Sequence, residues 1–107
     1  WSEMLRFIAK MTNCFFMLLM LPMGVACAGD SIKGGELYAK HCAECHGESG
    51  ISVMPGTPNF AENESLIKPD SLLLQTITNG DKAMPSYLGI LQELEMLDVI
   101  AFIRTLN

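Results

Sequence analysis

Apolar side chains recur at helical spacing from residue 30 onward, and alternating, strand-like runs are almost absent. The pattern predicts three helices, each marked by a start or a stop signal. They run from Ser31 to about His41, capped by Asp30 or Ser31; from Ser71 to Asn79, between Pro69-Asp70 and Gly80; and from Gln92 to Leu106. Between the first two, the glycines, prolines and asparagines of residues 47–64 predict a long irregular loop. A loop of that length in a small domain normally has a functional reason.

The later half of the last predicted helix is apolar almost all round, in the run Val99-Ile100-Ala101-Phe102-Ile103. Such a helix must be buried on more than one side. Because the chain has few other residues to cover it, we expect a group other than protein to supply part of this burial. Met96, in the same helix, is most simply a core residue, whereas Glu93, Glu95 and Asp98 are expected on its solvated face.

The first 28 residues follow a different pattern. Arg6 and Lys10 precede the apolar run Cys14–Leu21, and the small-x-small site Ala26-Cys27-Ala28 follows it. This order is typical of a secretory signal peptide, and the apolar stretch is shorter than the ~20 residues that span a bilayer. We therefore expect residues 1–28 to be a signal peptide and residues 29–107 to be one domain in the periplasm. Retention of the segment as an anchor and lipidation of Cys27 are the alternatives.

Composition and charge limit the classes of function that are open to residues 29–107. The chain has 107 residues, half of them hydrophobic, and removal of the first 28 leaves a domain too short for a two-domain enzyme. A domain this small usually needs disulfides, a metal or a cofactor for stability. Residues 29–107 carry five basic and eleven acidic side chains, a net charge of −6. This balance argues against a nucleic-acid partner, which requires clustered Lys and Arg. A basic docking partner and simple solubility both remain open.

The candidate site is the pentapeptide Cys42-Ala43-Glu44-Cys45-His46. The spacing C-x-x-C-H predicts a c-type haem attachment site, in which two thiols one helical turn apart form thioethers with one porphyrin and the adjacent His ligates the iron. A zinc site would need ligands from a second segment, and a thioredoxin-like redox pair would need a βαβ context. His41 precedes Cys42 on the same helix and is expected to be a structural histidine.

With these residues, the chain is similar to the class I cytochromes c, in particular to short bacterial members that carry one haem. The similarity extends over nearly all of residues 32–107. It includes two positions on each of the two helices that cross, the first and the last, together with the loop after the haem site and the segment that delivers the distal ligand. The matching residues are Gly34, Tyr38, Val99 and Phe102 at the crossing, Pro58-Asn59-Phe60 in the loop, and Ile77-Thr78-Asn79-Gly80 with Met84-Pro85 in the distal segment.

The resemblance implies an all-α cytochrome c fold, three to four short helices and long loops around one covalently attached haem c. It also implies that His46 and Met84 are the axial ligands and that the Pro58 carbonyl accepts a hydrogen bond from His46. Met54-Pro55 is a second Met-Pro pair, but it lies only eight residues after His46, on the loop expected to stay on the proximal side. Thioether sulfur is a soft ligand that raises the haem potential. Tyr87 is a further candidate, either as a hydrogen-bond donor near a haem propionate or the Met84 loop, or as a partly exposed aromatic.

These implications predict a one-electron carrier that moves electrons between respiratory redox proteins, without catalytic residues of its own. The main rival is a haem protein with an open or labile distal site that binds gas or reacts with peroxide. A tethered cytochrome subunit of a larger respiratory complex is a further alternative. Few lysines surround the expected haem edge, so docking through a ring of lysines is not expected.

Overall fold

The computed structural model describes residues 1–18 and 28–107 of the chain. Five α-helices and one 3-10 turn lie in these ranges, and no strand is present in them. Their bounds are α1 Ser2–Leu18, α2 Ser31–His41, α3 Ala43–His46, the 3-10 turn Phe60–Glu62, α4 Asp70–Asn79 and α5 Glu93–Ile103. The all-α prediction is therefore confirmed. Among the residues described, no helix has both the length and the apolar character required to cross a membrane. Residues 19–27 lie outside the described part of the chain, and they include the end of the predicted signal-peptide core and most of its cleavage site.

The ends of the main helices follow local capping chemistry. The Asp30 side chain accepts hydrogen bonds from the backbone N–H groups of Ile32 and Lys33, which would otherwise lack partners at the start of α2. At the start of α5, Gln92 and Glu95 form a reciprocal capping box. Each helix therefore begins directly after a polar residue whose side chain accepts hydrogen bonds from the first backbone N–H groups.

The last helix ends three residues earlier than predicted. It ends at Ile103, and the chain then tightens into a turn in which Thr105 N–H donates to Phe102 O at 2.8 Å. The Arg104 guanidinium donates to the Leu66 carbonyl at 2.6 Å. This side chain joins the end of α5 to the segment before α4, a tertiary contact that the periodicity of α5 does not contain.

The crossing of α2 and α5 forms the centre of the domain. Gly34 lies so close to α5 that a Cβ at this position would be 1.9 Å from the carbonyl oxygen of Asp98. Beside this contact the rings of Tyr38 and Phe102 pack with their centroids 5.1 Å apart. Tyr38 and Ile100 are both only 1% exposed. The glycine therefore permits the close approach, and the aromatic and aliphatic side chains around it fill the interface.

The predicted burial of α5 on several sides is confirmed. Met96, Val99, Ile100 and Ile103 form one face and are all 4% exposed or less, and Leu97, Ala101 and Phe102 on the other sides are half-buried. α4 covers another side of the helix, where the Thr78 hydroxyl lies 3.5 Å from the Met96 sulfur. Tyr38, Phe60, Leu66, Leu73, Ile77, Tyr87 and Leu91 complete the same core cluster.

Two of the three carboxylates expected on the solvated face of α5 are instead tertiary contacts. Asp98 accepts a hydrogen bond from the Asp30 N–H at 2.7 Å, and Lys33 Nζ lies 3.8 Å from both Asp98 and Glu95. The Asp98 side chain is only 13% exposed. These contacts join the first turn of α2 to α5, whereas Glu93 is exposed as predicted.

Candidate functional site

The C-x-x-C-H segment consists of Cys42, which separates α2 from α3, and the single turn of α3. α2 ends at His41, Cys42 adopts a non-helical conformation, and α3 runs from Ala43 to His46. Gly47 closes the turn with a φ of +80°, and a Cβ there would be 1.9 Å from the Ile51 carbonyl oxygen. The Tyr38 hydroxyl donates to the Gly47 carbonyl at 2.7 Å. The buried tyrosine of the helix crossing thus also holds the end of this turn.

Cys42 and Cys45 are free thiols on this turn, and both are half-buried. Burial, and secondarily the neighbouring Cys45, raises the pKa of the Cys42 thiol to about 11. Cys42 and Ala43 also pack against the core cluster. Two reduced thiols, one turn of chain apart and beside an apolar core, fit the two thioether attachments of one haem c.

His46 is held by contacts to two residues of the following loop. Its Nδ1 lies 3.4 Å from the Pro58 carbonyl oxygen, and its ring stacks on Phe60 with centroids 4.5 Å apart and planes 9° from parallel. Because a carbonyl only accepts, Nδ1 carries the proton in this contact and the lone pair lies on Nε2. Burial lowers the pKa of His46, and the hydrogen bond to Pro58 opposes this effect. A neutral imidazole with a free Nε2 is the form that ligates a metal.

Met84 lies in a segment folded back onto the end of α4. Gly80 permits this return, since its φ is +76° and a Cβ there would be 2.6 Å from the Met84 carbonyl oxygen. Asp81 and Met84 exchange backbone hydrogen bonds of 3.1 and 2.9 Å, and Tyr87 N–H donates to Ile77 O at 3.1 Å. The Met84 side chain is half-buried and packs against the core cluster that Cys42 also contacts.

Met54 has a different environment. Its side chain is 42% exposed, and it lies in the loop between His46 and Pro58. The two Met-Pro pairs thus differ in burial, and only Met84 is among the side chains packed on the core cluster in the described part of the chain.

Tyr87 is buried rather than partly exposed, with 8% of its surface accessible. Its hydroxyl donates to the His41 carbonyl at 2.7 Å, and its ring meets the His41 ring edge-on with centroids 5.8 Å apart. Burial also raises the pKa of Tyr87. This residue therefore connects the Met84 segment to the end of α2, directly before the cysteines, and His41 has the structural surroundings expected for it.

Two features of the site were not apparent in the sequence. The first is the stacking of Phe60 on His46, although its position two residues after Pro58 was a usable signal. The second is Glu64, whose carboxylate accepts a hydrogen bond from the Asn59 N–H at 2.7 Å. Asn59 Oδ1 is buried without a hydrogen-bond partner among the residues described. The irregular loop gives no periodicity from which the Glu64 contact could be inferred.

Comparison with known proteins agrees with this geometry. Residues 30–103 match the family model described as cytochrome c oxidase, cbb3-type, subunit III. Cytochrome c6 from Nostoc sp. is 31% identical over 73% of this chain and 72% of the relative, and cytochrome c6 from Thermosynechococcus vestitus is 28% identical over 92% and 88%. The cbb3-type cytochrome c oxidase subunit FixP of Rhizobium etli is 33% identical over 65% of this chain and 28% of the relative.

The match to the family model covers well over half of the chain and includes the C-x-x-C-H turn, α4 and α5. The helical architecture of this chain, the paired thiols of Cys42 and Cys45 and the neutral imidazole of His46 fit one covalently bound haem c. The chain therefore belongs to the class I c-type cytochromes.

Proposed function

We propose that this protein is a periplasmic one-electron carrier in which Cys42 and Cys45 bind haem c and His46 and Met84 ligate its iron. When bound, the haem supplies an iron that gains and loses a single electron. The observation that carries the proposal is the turn from Cys42 to His46, whose histidine is oriented by the Pro58 carbonyl. In this role the protein's residues attach the haem, orient one ligand of its iron and exclude water from part of the haem.

The environment of His46 supports its role as the proximal ligand. The Pro58 carbonyl fixes the tautomer with the proton on Nδ1, and Phe60 limits rotation of the ring by stacking on its face. A hydrogen bond from the remote ring nitrogen also increases the basicity of a metal-ligating imidazole. His46 is therefore oriented and kept neutral by residues of its own loop.

Burial and tethering favour Met84 over Met54 as the second ligand. The Met84 segment is hydrogen-bonded to the end of α4 and, through Tyr87, to the end of α2. A tethered sulfur loses less conformational freedom when it binds a metal than a sulfur on an exposed loop does. Two filled axial positions suit electron transfer, because they exclude oxygen and peroxide from the iron. We therefore place the protein among carriers and not among enzymes.

The charge of the domain indicates the chemistry of its redox partners. Residues 29–107 have a net charge of −6, and the exposed carboxylates Glu44 and Glu48 lie within and beside the C-x-x-C-H turn. A partner with a basic docking surface would associate faster at low ionic strength. Electron-transfer rates with such a partner should fall as salt is added.

The FixP relatives and the family description favour a second candidate, a cytochrome subunit held in a larger oxidase complex. Cell fractionation separates the two. A carrier is released with the periplasmic contents, whereas a tethered subunit stays with the membranes and is released only by detergent.

The axial ligands are tested by the visible spectrum of the reduced haem-loaded protein before and after addition of carbon monoxide. We expect no change in the wild type, because Met84 closes the iron. Met84→Ala should bind carbon monoxide and have a lower reduction potential, whereas Met54→Ala should match the wild type. A shifted Soret band in the wild-type protein would instead support the gas-binding or peroxidase-like alternative, and the opposite pattern in the two variants would refute the choice of Met84.

A further inference from the structure

In the loop after His46, the peptide group between Pro58 and Asn59 forms hydrogen bonds through both its C=O and its N–H. The Pro58 carbonyl lies 3.4 Å from His46 Nδ1, and the N–H of the same amide, which belongs to Asn59, donates to Glu64 Oε2 at 2.7 Å. Resonance joins the N–H and the C=O of a peptide unit. Hydrogen bonds in a chain polarise one another, so an acceptor on the N–H makes the C=O a stronger acceptor.

The acceptor on this N–H is a carboxylate. Charge-assisted hydrogen bonds are shorter and roughly twice as strong as neutral ones, and 2.7 Å lies within their usual range. Glu64 therefore increases the negative charge on the Pro58 oxygen, and that oxygen faces the remote nitrogen of His46. The carboxylate acts on the imidazole without touching it.

The backbone around Glu64 is built to return this side chain to Asn59. The residues on both sides of it, Asn63 and Ser65, have a φ of +66°, a conformation that is uncommon for residues other than glycine. The Glu64 N–H in turn donates to the Asn59 carbonyl at 3.1 Å. Glu64 and Asn59 thus form a reciprocal pair of hydrogen bonds.

The C-terminus of the chain holds this segment from the other side. Asn107 Nδ2 donates to Asn63 Oδ1 at 2.6 Å, and Arg104 donates to the Leu66 carbonyl. The position of Glu64 is therefore determined by α5 and the residues after it, and not by the loop alone.

We propose that Glu64 is a positioning residue that lowers the reduction potential by acting on His46 through the Pro58–Asn59 peptide group. This inference rests on the proposed role of His46 as an iron ligand. A stronger hydrogen bond from His46 Nδ1 to the Pro58 carbonyl gives the imidazole more anionic character. Hydrogen-bond acceptors on the non-ligating nitrogen raise the basicity of a metal-ligating histidine in this way. A more basic ligand stabilises the ferric state over the ferrous state.

The test compares three variants of the haem-loaded protein by spectroelectrochemistry. Glu64→Ala removes the acceptor, and Glu64→Gln keeps an oxygen acceptor without the charge. Glu62→Gln is the matched control, because Glu62 is also an exposed carboxylate of this loop and is not the acceptor of the Asn59 N–H. We expect Glu64→Ala to raise the equilibrium constant for reduction about threefold, or ~28 mV at 59 mV per tenfold change. Glu64→Gln should give a smaller rise and Glu62→Gln the smallest.

A second readout follows the hydrogen bonds themselves. In the reduced protein, exchange of the Asn59 amide proton should accelerate at least tenfold in Glu64→Ala, and the Nδ1 resonance of His46 should shift. Equal potentials in all three variants, or a lower unfolding temperature of Glu64→Ala with no change in potential, would overturn the inference.

The ring resonances of His46 in the wild-type protein separate the two proposals. Hyperfine or coordination shifts at Nε2 support ligation by His46 whatever the Glu64 variants do. Their absence would refute the proposed ligand, and with it the inference. Their presence together with unchanged potentials would overturn only the role of Glu64.

Discussion

The helix crossing at Gly34 gives a quantitative prediction for Gly34→Ala. The new Cβ would lie 1.9 Å from the carbonyl oxygen and 2.4 Å from the carbonyl carbon of Asp98. Both atoms belong to backbone in the interior of α5, so no side chain can rotate to relieve the contact. An ordinary contact of about 3.4 Å requires α2 and α5 to separate by roughly 1.5 Å, a gap that removes much of the dispersion attraction across the interface.

The cost is worked from two opposing effects. Overpacking of a close-packed interior typically costs about 1–3 kcal/mol and occasionally more, and this contact involves backbone on both sides. Replacing a helical glycine by alanine returns about 1 kcal/mol. Since the contact is between backbones and Tyr38 and Ile100 also lose contacts when the helices separate, we expect a gross cost above the typical range, about 3–5 kcal/mol. Subtraction of the helix-propensity gain leaves a net loss of about 2–4 kcal/mol. For a domain of this size that corresponds to at least about 10 °C in melting temperature.

Gly35→Ala is the matched control for this experiment. It has the same helix-propensity gain, but its Cβ would meet only the Phe102 ring, at 3.1 Å, and a side chain can move. Both haem-loaded variants are unfolded in denaturant, followed by far-UV circular dichroism and the Soret band. Gly35→Ala should lie within about 1 kcal/mol of the wild type. Equal stabilities of the two variants would refute the argument from close helix approach.

Two further predictions concern the buried tyrosines. Tyr87→Phe removes the hydrogen bond to the His41 carbonyl and should lower the free energy of unfolding by about 1 kcal/mol. Because the segment that carries Met84 is then held less firmly, the affinity of the ferric protein for imidazole, measured by optical titration, should increase. An unchanged affinity would contradict the role of Tyr87 in holding this segment. Burial raises the pKa of Tyr38 to about 12 from an ordinary value of 10. The neutral phenol's contribution to folding stability is therefore complete below pH 10 and is lost as the pH rises to 12. Over that interval the stability of the wild type should fall by up to about 2–3 kcal/mol relative to Tyr38→Phe, as measured by denaturant unfolding at each pH, and parallel pH curves for the two proteins would disprove the shift.

The helices were largely predictable because their signals are local. Asp30, Pro69 and Gly80 lie next to the backbone groups that they cap or interrupt, so α2 and α4 begin and end within one residue of the prediction. The end of α5 was placed three residues too late, because Arg104 and the residues after it are drawn into contacts with the segment before α4. Periodicity alone does not contain such contacts.

The predicted site residues differ in how far local chemistry could place them. Cys42, Cys45 and His46 lie within one turn of chain, so their spacing was enough to predict their chemistry. Tyr87 was ambiguous, because burial and the hydrogen bond to His41 depend on the packing of a segment 46 residues away. Asp98 was expected to be solvated for the same reason, since its partner Asp30 is 68 residues distant.

The sequence by itself determined the helical class, the main capping positions and the haem-attachment turn. Each of these depends on residues within a few positions of one another, where covalent connection fixes the geometry. Tertiary structure decided which aromatic ring stacks on His46 and which carboxylate reaches the Pro58–Asn59 peptide group. Those contacts require the irregular loop to be closed and held by hydrogen bonds from Arg104 and Asn107, which follow α5. Closing such a loop costs conformational entropy, and contacts from the rest of the fold must offset that cost.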